Sequence, residues 1–263
     1  MYRQECLGQI VRHGSYTGLC YTSLMDIHIG TSGWHYNHWR GLFYPEGLNK
    51  PDWLPFYSRH FDTLEINVTF YRNVESSTYT KWRNAVPDHF LFSIKMSRFI
   101  THIKKLRIDS HSINHFKASI RYLQDRLGIV LIQLPPGLKF DEGLIRDFLY
   151  LLDKGLRYTV EARNESFIDD RFFALLEEYG VAWCVADSAG RFPYYEAVTA
   201  PFVYIRLHGS QELYASDYKD SELELWRDKI ALWGKETFVY FDNDFHGYAV
   251  IDAKKLKALV SNI

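Results

Sequence analysis

The stretch Phe202-Val203-Tyr204-Ile205-Arg206-Leu207-His208-Gly209 decides the fold. Val203, Ile205 and Leu207 form one apolar row, and Tyr204, Arg206 and His208 form a second, polar one. That alternation is the period of a β-strand, whose successive side chains point to opposite faces. The run ends in hydrophilic residues and stops at a glycine, so one end of the strand is built for polar company.

Seven further stretches read the same way: Ile27–Gly33, Thr63–Thr69, Phe90–Ser97, Gly128–Leu134, Tyr158–Arg163, Ala182–Asp187 and Phe238–Asp244. Each is short and rich in β-branched, aromatic or aliphatic residues, and most are followed by a segment of helical periodicity. Eight such units in 263 residues predict one α/β domain, a (β/α)8 TIM barrel over residues 25–263. The segment from Asp187 to Pro201 holds Gly190, Pro193 and Pro201, so the sixth crossover is expected to be irregular, with at most one helical turn.

Residues 1–24 lack the apolar stretch of a signal peptide and precede Met25-Asp26, which leads directly into the first strand. They read as an extra N-terminal tail, upstream of a natural start at Met25 or loosely attached. Formal charge is -1, which argues against a polycation built for duplex DNA. Cys6, Cys20 and Cys184 have neither disulfide nor metal spacing, which suits a reducing cytoplasm. No apolar run reaches membrane-spanning length.

Residues that end parallel barrel strands share one face, and in this fold that face carries the active site. Alternation sends Glu65 and Asn67 inward on the second strand, Lys95 on the third, and Glu161 and Arg163 on the fifth. Tyr204, Arg206 and His208 face inward on the seventh. Ser32, Gln133, Asp187, Asp242 and Asp244 fall at corresponding ends of the first, fourth, sixth and eighth strands, with Asn243 between the last two. An unpaired buried charge costs several kcal/mol, so Glu65, Lys95, Glu161, Arg163, Asp187 and Arg206 must pair with one another or meet a ligand. A self-satisfied network, with Glu65 on Lys95 as its deepest pair, is the structural alternative.

The loop from Gly33 to Pro45 carries Trp34, Tyr36 and Trp39, and Tyr71 follows the second strand. These aromatics offer a stacking platform for a sugar ring or base, or else pack as a lid on their own barrel. The segment Ser97–Arg107, with His102, is the most basic in the chain and suits phosphate, or is a solvated charge run. Gly209 and Gly247 would permit close backbone approach to a phosphate after the last two strands. No nucleophile elbow, phosphate-cradling P-loop, zinc-protease helix or dinucleotide fingerprint is present.

Several of these stretches together resemble the YecE-like family, catalogued as domain of unknown function 72. They are Ile29-Gly30-Thr31-Ser32-Gly33-Trp34, Trp39–Pro45, Glu65-Ile66-Asn67 with Phe70-Tyr71-Arg72, and Thr101-His102. Gln133-Leu134-Pro135-Pro136, Tyr204–Gly209 and Phe241–Asp244 complete the set. The resemblance implies a TIM barrel from a bacterium or archaeon and brings no established activity, although likeness to metal-dependent endonucleases and sugar isomerases has made nucleic-acid processing a standing suggestion. The chain departs from the family where Glu161-Ala162-Arg163-Asn164-Glu165-Ser166-Phe167 replaces the usual E-F-R-H-P-S-W. Asp242 likewise replaces an asparagine, adding a carboxylate that favours a cation or basic partner.

Three functions compete. In the first, the chain is an enzyme for a phosphorylated or anionic substrate, a phosphodiester or phosphosugar. Lys95, Arg163 and Arg206 hold the anion, Glu161 or Asp187 is the general base and His208 the proton shuttle. No cofactor is needed for that chemistry. In the second, Glu65, Glu161, Asp187, His208 and Asp242 bind a divalent cation for hydrolysis or isomerisation, against the repulsion of three nearby cations. In the third, Trp34, Trp39, Tyr71 and the basic segment bind single-stranded nucleic acid without catalysis.

Overall fold

The computed structural model describes residues 25–261, so the tail expected at residues 1–24 lies outside the described residues. All eight strands form: β1 Ile27–Thr31, β2 Thr63–Ile66, β3 Leu91–Lys95, β4 Leu127–Leu134, β5 Arg157–Ala162, β6 Ala182–Asp187, β7 Phe202–Leu207 and β8 Glu236–Phe241. They are parallel and lie in the order β1-β8-β7-β6-β5-β4-β3-β2. A bridge from Ser32 to Glu65 draws β1 to β2 and completes the ring. Gly30 makes that seam: a Cβ there would lie 2.2 Å from the Thr63 carbonyl oxygen, so no other residue fits.

The helices are α1 Trp53–Tyr57, α2 Val68–Tyr71, α3 Ser76–Asn84, α4 Ser110–Ile120, α5 Glu142–Tyr150, α6 Asp170–Tyr179, α7 Asp220–Trp233 and α8 Tyr248–Val260. Asp109, Asp141 and Asp169 cap α4, α5 and α6 by accepting a bond from a first-turn N–H. Residues 188–201, between β6 and β7, form no helix, as the glycine and two prolines predict.

Two apolar sets fill the molecule. Leu64, Ile94, Val130, Val160, Val185, Ile205 and Val239 pack outward under the helices. Ile129, Leu131, Ala182, Cys184, Tyr204 and Tyr240 fill the barrel itself. Inside the ring Tyr240 bonds Thr63 at 2.6 Å and Ser93 at 2.8 Å, and its ring lies 5.1 Å from that of Tyr204. These layers close the barrel beneath the charged groups, so the charges sit on a solid floor. Among the described residues no helix is long and apolar enough to cross a membrane.

Candidate active site at the barrel mouth

Above the tyrosine layer one guanidinium organises the strand ends. Arg206 is fully buried. Its Nε and Nη2 donate to the two Glu65 oxygens at 3.0 and 2.8 Å. Nη1 donates to Glu161 Oε2 at 2.6 Å, and Nη2 reaches Asp242 Oδ2 and Ser32 Oγ, each at 3.1 Å. Glu65 also accepts from Tyr204 at 2.7 Å and from Ser32. Gln133 Nε2 lies 3.0 Å from both Glu161 oxygens, and Arg163 Nε donates to Glu161 Oε1 at 2.8 Å. His208 Nδ1 donates to Asp242 Oδ2 at 3.0 Å.

Glu161 is buried, which disfavours its charge, but Arg163 and Arg206 outweigh this and hold its carboxyl well below the usual range. Burial opposes Arg206 too, and Glu65, Glu161 and Asp242 more than compensate. The alternation reading thus places Ser32, Glu65, Gln133, Glu161, Arg206, His208 and Asp242 in one assembly. Its deepest pair is Glu65 with Arg206, not with Lys95.

Over this assembly opens a cavity of about 560 Å3, lined by Tyr36, Asn67, Phe70, Tyr71, Lys95, Arg98, His102, Gln133, Arg163, Tyr214 and Asp242. Lys95 ends β3 with its Nζ 4.5 Å from the centroid of the Phe70 ring. Its burial, with Arg206 nearby, lowers the amine to about 8 despite Glu161, Glu65 and Asp242. Phe99–Ile103 wind as a single wide π-type turn after β3, which brings Arg98 and His102 to the rim. The other cations of that basic stretch, Lys104, Lys105 and Arg107, stay exposed and outside the cavity. His102 is lowered to about 4, first by burial and then by Lys95, Arg163 and Arg98, so its ring is neutral at ordinary pH. Asn67 donates to Ser32 Oγ at 2.6 Å, while its buried Oδ1 has no partner and remains an acceptor for a ligand.

Several expected positions fall elsewhere. Asp187 points away from the barrel, accepting from Tyr218 at 3.0 Å in a separate depression. The cause is the phase of β6, where small Ala182, Cys184 and Ala186 fill the lumen and Asp187 shares the outward row of Trp183 and Val185. Asn243, out of phase with Asp242, donates to Asp252 at 2.8 Å and to the Ser216 carbonyl at 3.0 Å. His208 and Glu161 are placed as expected but sealed beneath the cavity, at 0% and 1% exposure.

The aromatic loop packs on its own barrel. Trp39 is wholly buried beside Tyr36, Phe43 and Tyr44, and Trp34 meets Trp82 of α3 edge-on at 5.5 Å. Gly209 and Gly247 give their space to the protein itself, since a Cβ would meet the Glu212 carbonyl at 2.3 Å and Leu42 at 2.5 Å. Asn164, where the family pattern has histidine, caps a turn by bonding Pro136 O and Ser166 N. Strand alternation does not single out Tyr36, Phe70, Arg98 and Tyr214 as cavity residues. None lies on a strand: Phe70 is in α2 and the other three are in the connections after β1, β3 and β7, where no two-residue period marks direction.

Asp244 anchors the aromatic loop: Oδ1 accepts from the Trp39 indole at 2.8 Å and Oδ2 lies 2.9 Å from His38 Nε2. Burial pushes its carboxyl up to about 6. Asp244→Ala leaves the indole N–H of buried Trp39 without an acceptor and should lower stability by about 1–3 kcal/mol in urea unfolding. Asp244→Asn, whose amide oxygen still accepts from the indole, should lose less than half as much. Equal losses for the two variants would remove the hydrogen bond from the explanation.

The profile of the family described as protein of unknown function DUF72 matches residues 28–262. The chain belongs to that family. The UPF0759 protein YecE of Escherichia coli K12 is 26% identical over 240 residues, covering 81% of this chain and 84% of YecE. The UPF0759 protein YunF of Bacillus subtilis is 24% identical and covers 89% and 94% of the two chains. The crystal structure of a DUF72 protein from Thermotoga maritima superposes with a TM-score of 0.81 at 27% identity, over 89% of this chain and 99% of that one. The 3-keto-D-glucoside 4-epimerase YcjR of Escherichia coli shares the fold alone, with a TM-score of 0.55 and 11% identity over 91% of this chain and 100% of the epimerase.

The donor set of this DUF72 protein does not fit a divalent cation. Glu65, Glu161 and Asp242 converge on the Arg206 guanidinium and Asp187 faces elsewhere. Among the described residues no group of three or more His, Cys, Asp or Glu side chains is arranged around a metal position.

Proposed function

We propose that this protein is an enzyme for a small phosphorylated or otherwise anionic substrate, bound at the C-terminal mouth of its barrel. One observation carries the reading: Lys95, Arg98 and Arg163 line the cavity against a single carboxylate, Asp242, which is already engaged by Arg206 and His208. Three cations at a concave, partly desolvated site attract an anion and strengthen each charge-assisted bond to it. Arg206 is not among the anion's ligands, since Glu65, Glu161, Asp242 and Ser32 occupy its donors. Its role is to hold the strand ends together and keep the carboxylates ionised.

Proton transfer falls to groups that reach the cavity. Neutral His102 has one ring nitrogen bonded to Thr101 Oγ1 at 2.9 Å, leaving the other for a proton. Asp242 also reaches the cavity, but despite its burial Arg206 and His208 hold it below its ordinary value, so it accepts a hydrogen bond rather than a proton. Glu161 is too strongly held in its ionised form to act as a base near neutral pH. Trp39 is buried and Trp34 packs on Trp82, which leaves exposed Tyr71 alone of the three aromatics to stack on a base, and this favours a small substrate.

Titration with inorganic phosphate by calorimetry tests the reading. Arg163→Ala should weaken binding about tenfold or more, and exposed Arg98→Ala by about three- to tenfold, as loss of a charged hydrogen bond predicts. Unchanged affinity in both variants, or no phosphate binding by the unsubstituted protein, would refute the proposal.

A further inference from the structure

We infer that Lys95 is a nucleophile that condenses with the carbonyl group of an anionic aldehyde or ketone, forming an imine with the protein. The inference rests on the anion-binding reading above and narrows it to phosphorylated or carboxylated carbonyl compounds. Three placements support it. The Lys95 amine opens on the cavity from the end of a rigid strand, with its residue 8% exposed. No carboxylate lies within 4.0 Å of it among the described residues, so no ion pair holds it as the ammonium. The Thr69 hydroxyl donates to the Lys95 carbonyl oxygen at 2.7 Å and fixes the backbone from which it projects.

Phe70 forms one wall for both reacting groups. Lys95 Nζ sits 4.5 Å from its ring centroid, and the neutral His102 ring lies edge-on to it at 4.8 Å. Arg98 and Arg163 line the same cavity and would orient the anionic end of the substrate, leaving its carbonyl over the amine. The facing charges are Arg206, Glu161, Glu65 and Asp242. Their net effect with burial lowers the amine to about 8, so on the order of a tenth of the molecules carry a free amine at pH 7.

The step balances without an oxidant or reductant. The nitrogen lone pair forms the C–N bond as the carbonyl π bond breaks onto oxygen. Two protons leave nitrogen for that oxygen, by way of His102, and the oxygen departs as water. The C=N bond that remains takes one proton from solvent when it ionises, and then draws electrons from the neighbouring carbon. That electron sink is what bond cleavage or isomerisation next to a carbonyl requires.

Pyridoxal 5′-phosphate, an anionic aldehyde, serves as the probe, with borohydride reduction and peptide mass mapping to locate the product. The full-length protein should be labelled on Lys95 ahead of its other lysines. Inorganic phosphate should protect Lys95, chloride at equal ionic strength should not, and Lys95→Met should lose that label. Labelling spread over surface lysines with Lys95 untouched, while phosphate still binds, would overturn the imine and leave the anion site standing. Absence of both Lys95 labelling and phosphate binding would overturn the two together.

Discussion

Arg206→Met should lower stability at pH 7 by about 3–5 kcal/mol, the largest loss expected of any single substitution in the barrel mouth. The side chain is buried among Glu65 at 0% and Glu161 at 1% exposure, with Asp242 against the same Nη2. Removing the cation leaves carboxylates facing one another in a medium that solvates them poorly, and methionine supplies no hydrogen bond in return. Arg206→Lys should fall between the two, because one ammonium cannot span the separate positions that the planar fork reaches.

The pH dependence follows from the sign of the shifts. Glu161 is held below its ordinary value in the folded protein, so its favourable contribution is present above about pH 4.5 and is lost as pH falls through its lower folded value. In Arg206→Met that contribution is cut back to what Arg163 supplies, and protonating the stranded carboxylates relieves repulsion. The gap between the two proteins should therefore narrow on acidification. Urea unfolding at pH 7 and pH 4.5 measures it. A gap under about 1 kcal/mol at pH 7, or one that widens in acid, would show that Arg206 does not carry the assembly.

Lys95→Met should move the other way and stabilise the protein while weakening anion binding. The amine falls from 10.5 to about 8 on folding, a penalty on the charged form of up to about 3 kcal/mol at 1.36 kcal/mol per pH unit. Methionine fills similar volume, packs well against the Phe70 ring and carries no charge to desolvate. At pH 7 the gain should be about 1–3 kcal/mol. The penalty is fully present below about pH 8 and disappears as pH rises toward 10.5, so the advantage of Lys95→Met should shrink over that window. Gain in stability with loss of binding is the signature of a group kept for function at a structural cost. A folded Lys95→Met that is less stable than the parent at pH 7, or that binds phosphate as tightly as the parent, would contradict this.

The alternation of Val203, Ile205 and Leu207 with Tyr204, Arg206 and His208 was legible because helix-facing side chains must be apolar, which leaves only the other row for polar groups. The same logic placed Glu65, Asn67, Lys95, Gln133, Glu161 and Asp242 on the lumen side before any contact was known. It failed on β6, where every residue before Asp187 is apolar and the two faces differ in size rather than polarity. Asn243, one residue out of phase with Asp242, turns outward to Asp252 as the same two-residue period requires.

The order of residues alone determined the eightfold strand pattern, the missing sixth helix and the row of charges at one rim, because a local rule governs each: hydrophobic period, turn chemistry and the direction of a Cβ on a pleat. Only the tertiary structure decided which charges neutralise one another. Glu65 and Arg206 are separated by 141 positions, and neither local pattern shows that a forked guanidinium would take both oxygens and leave Lys95 without a carboxylate among the described residues. Pairing depends on distances of a few ångströms across the closed ring, and those exist only once all eight strands have met.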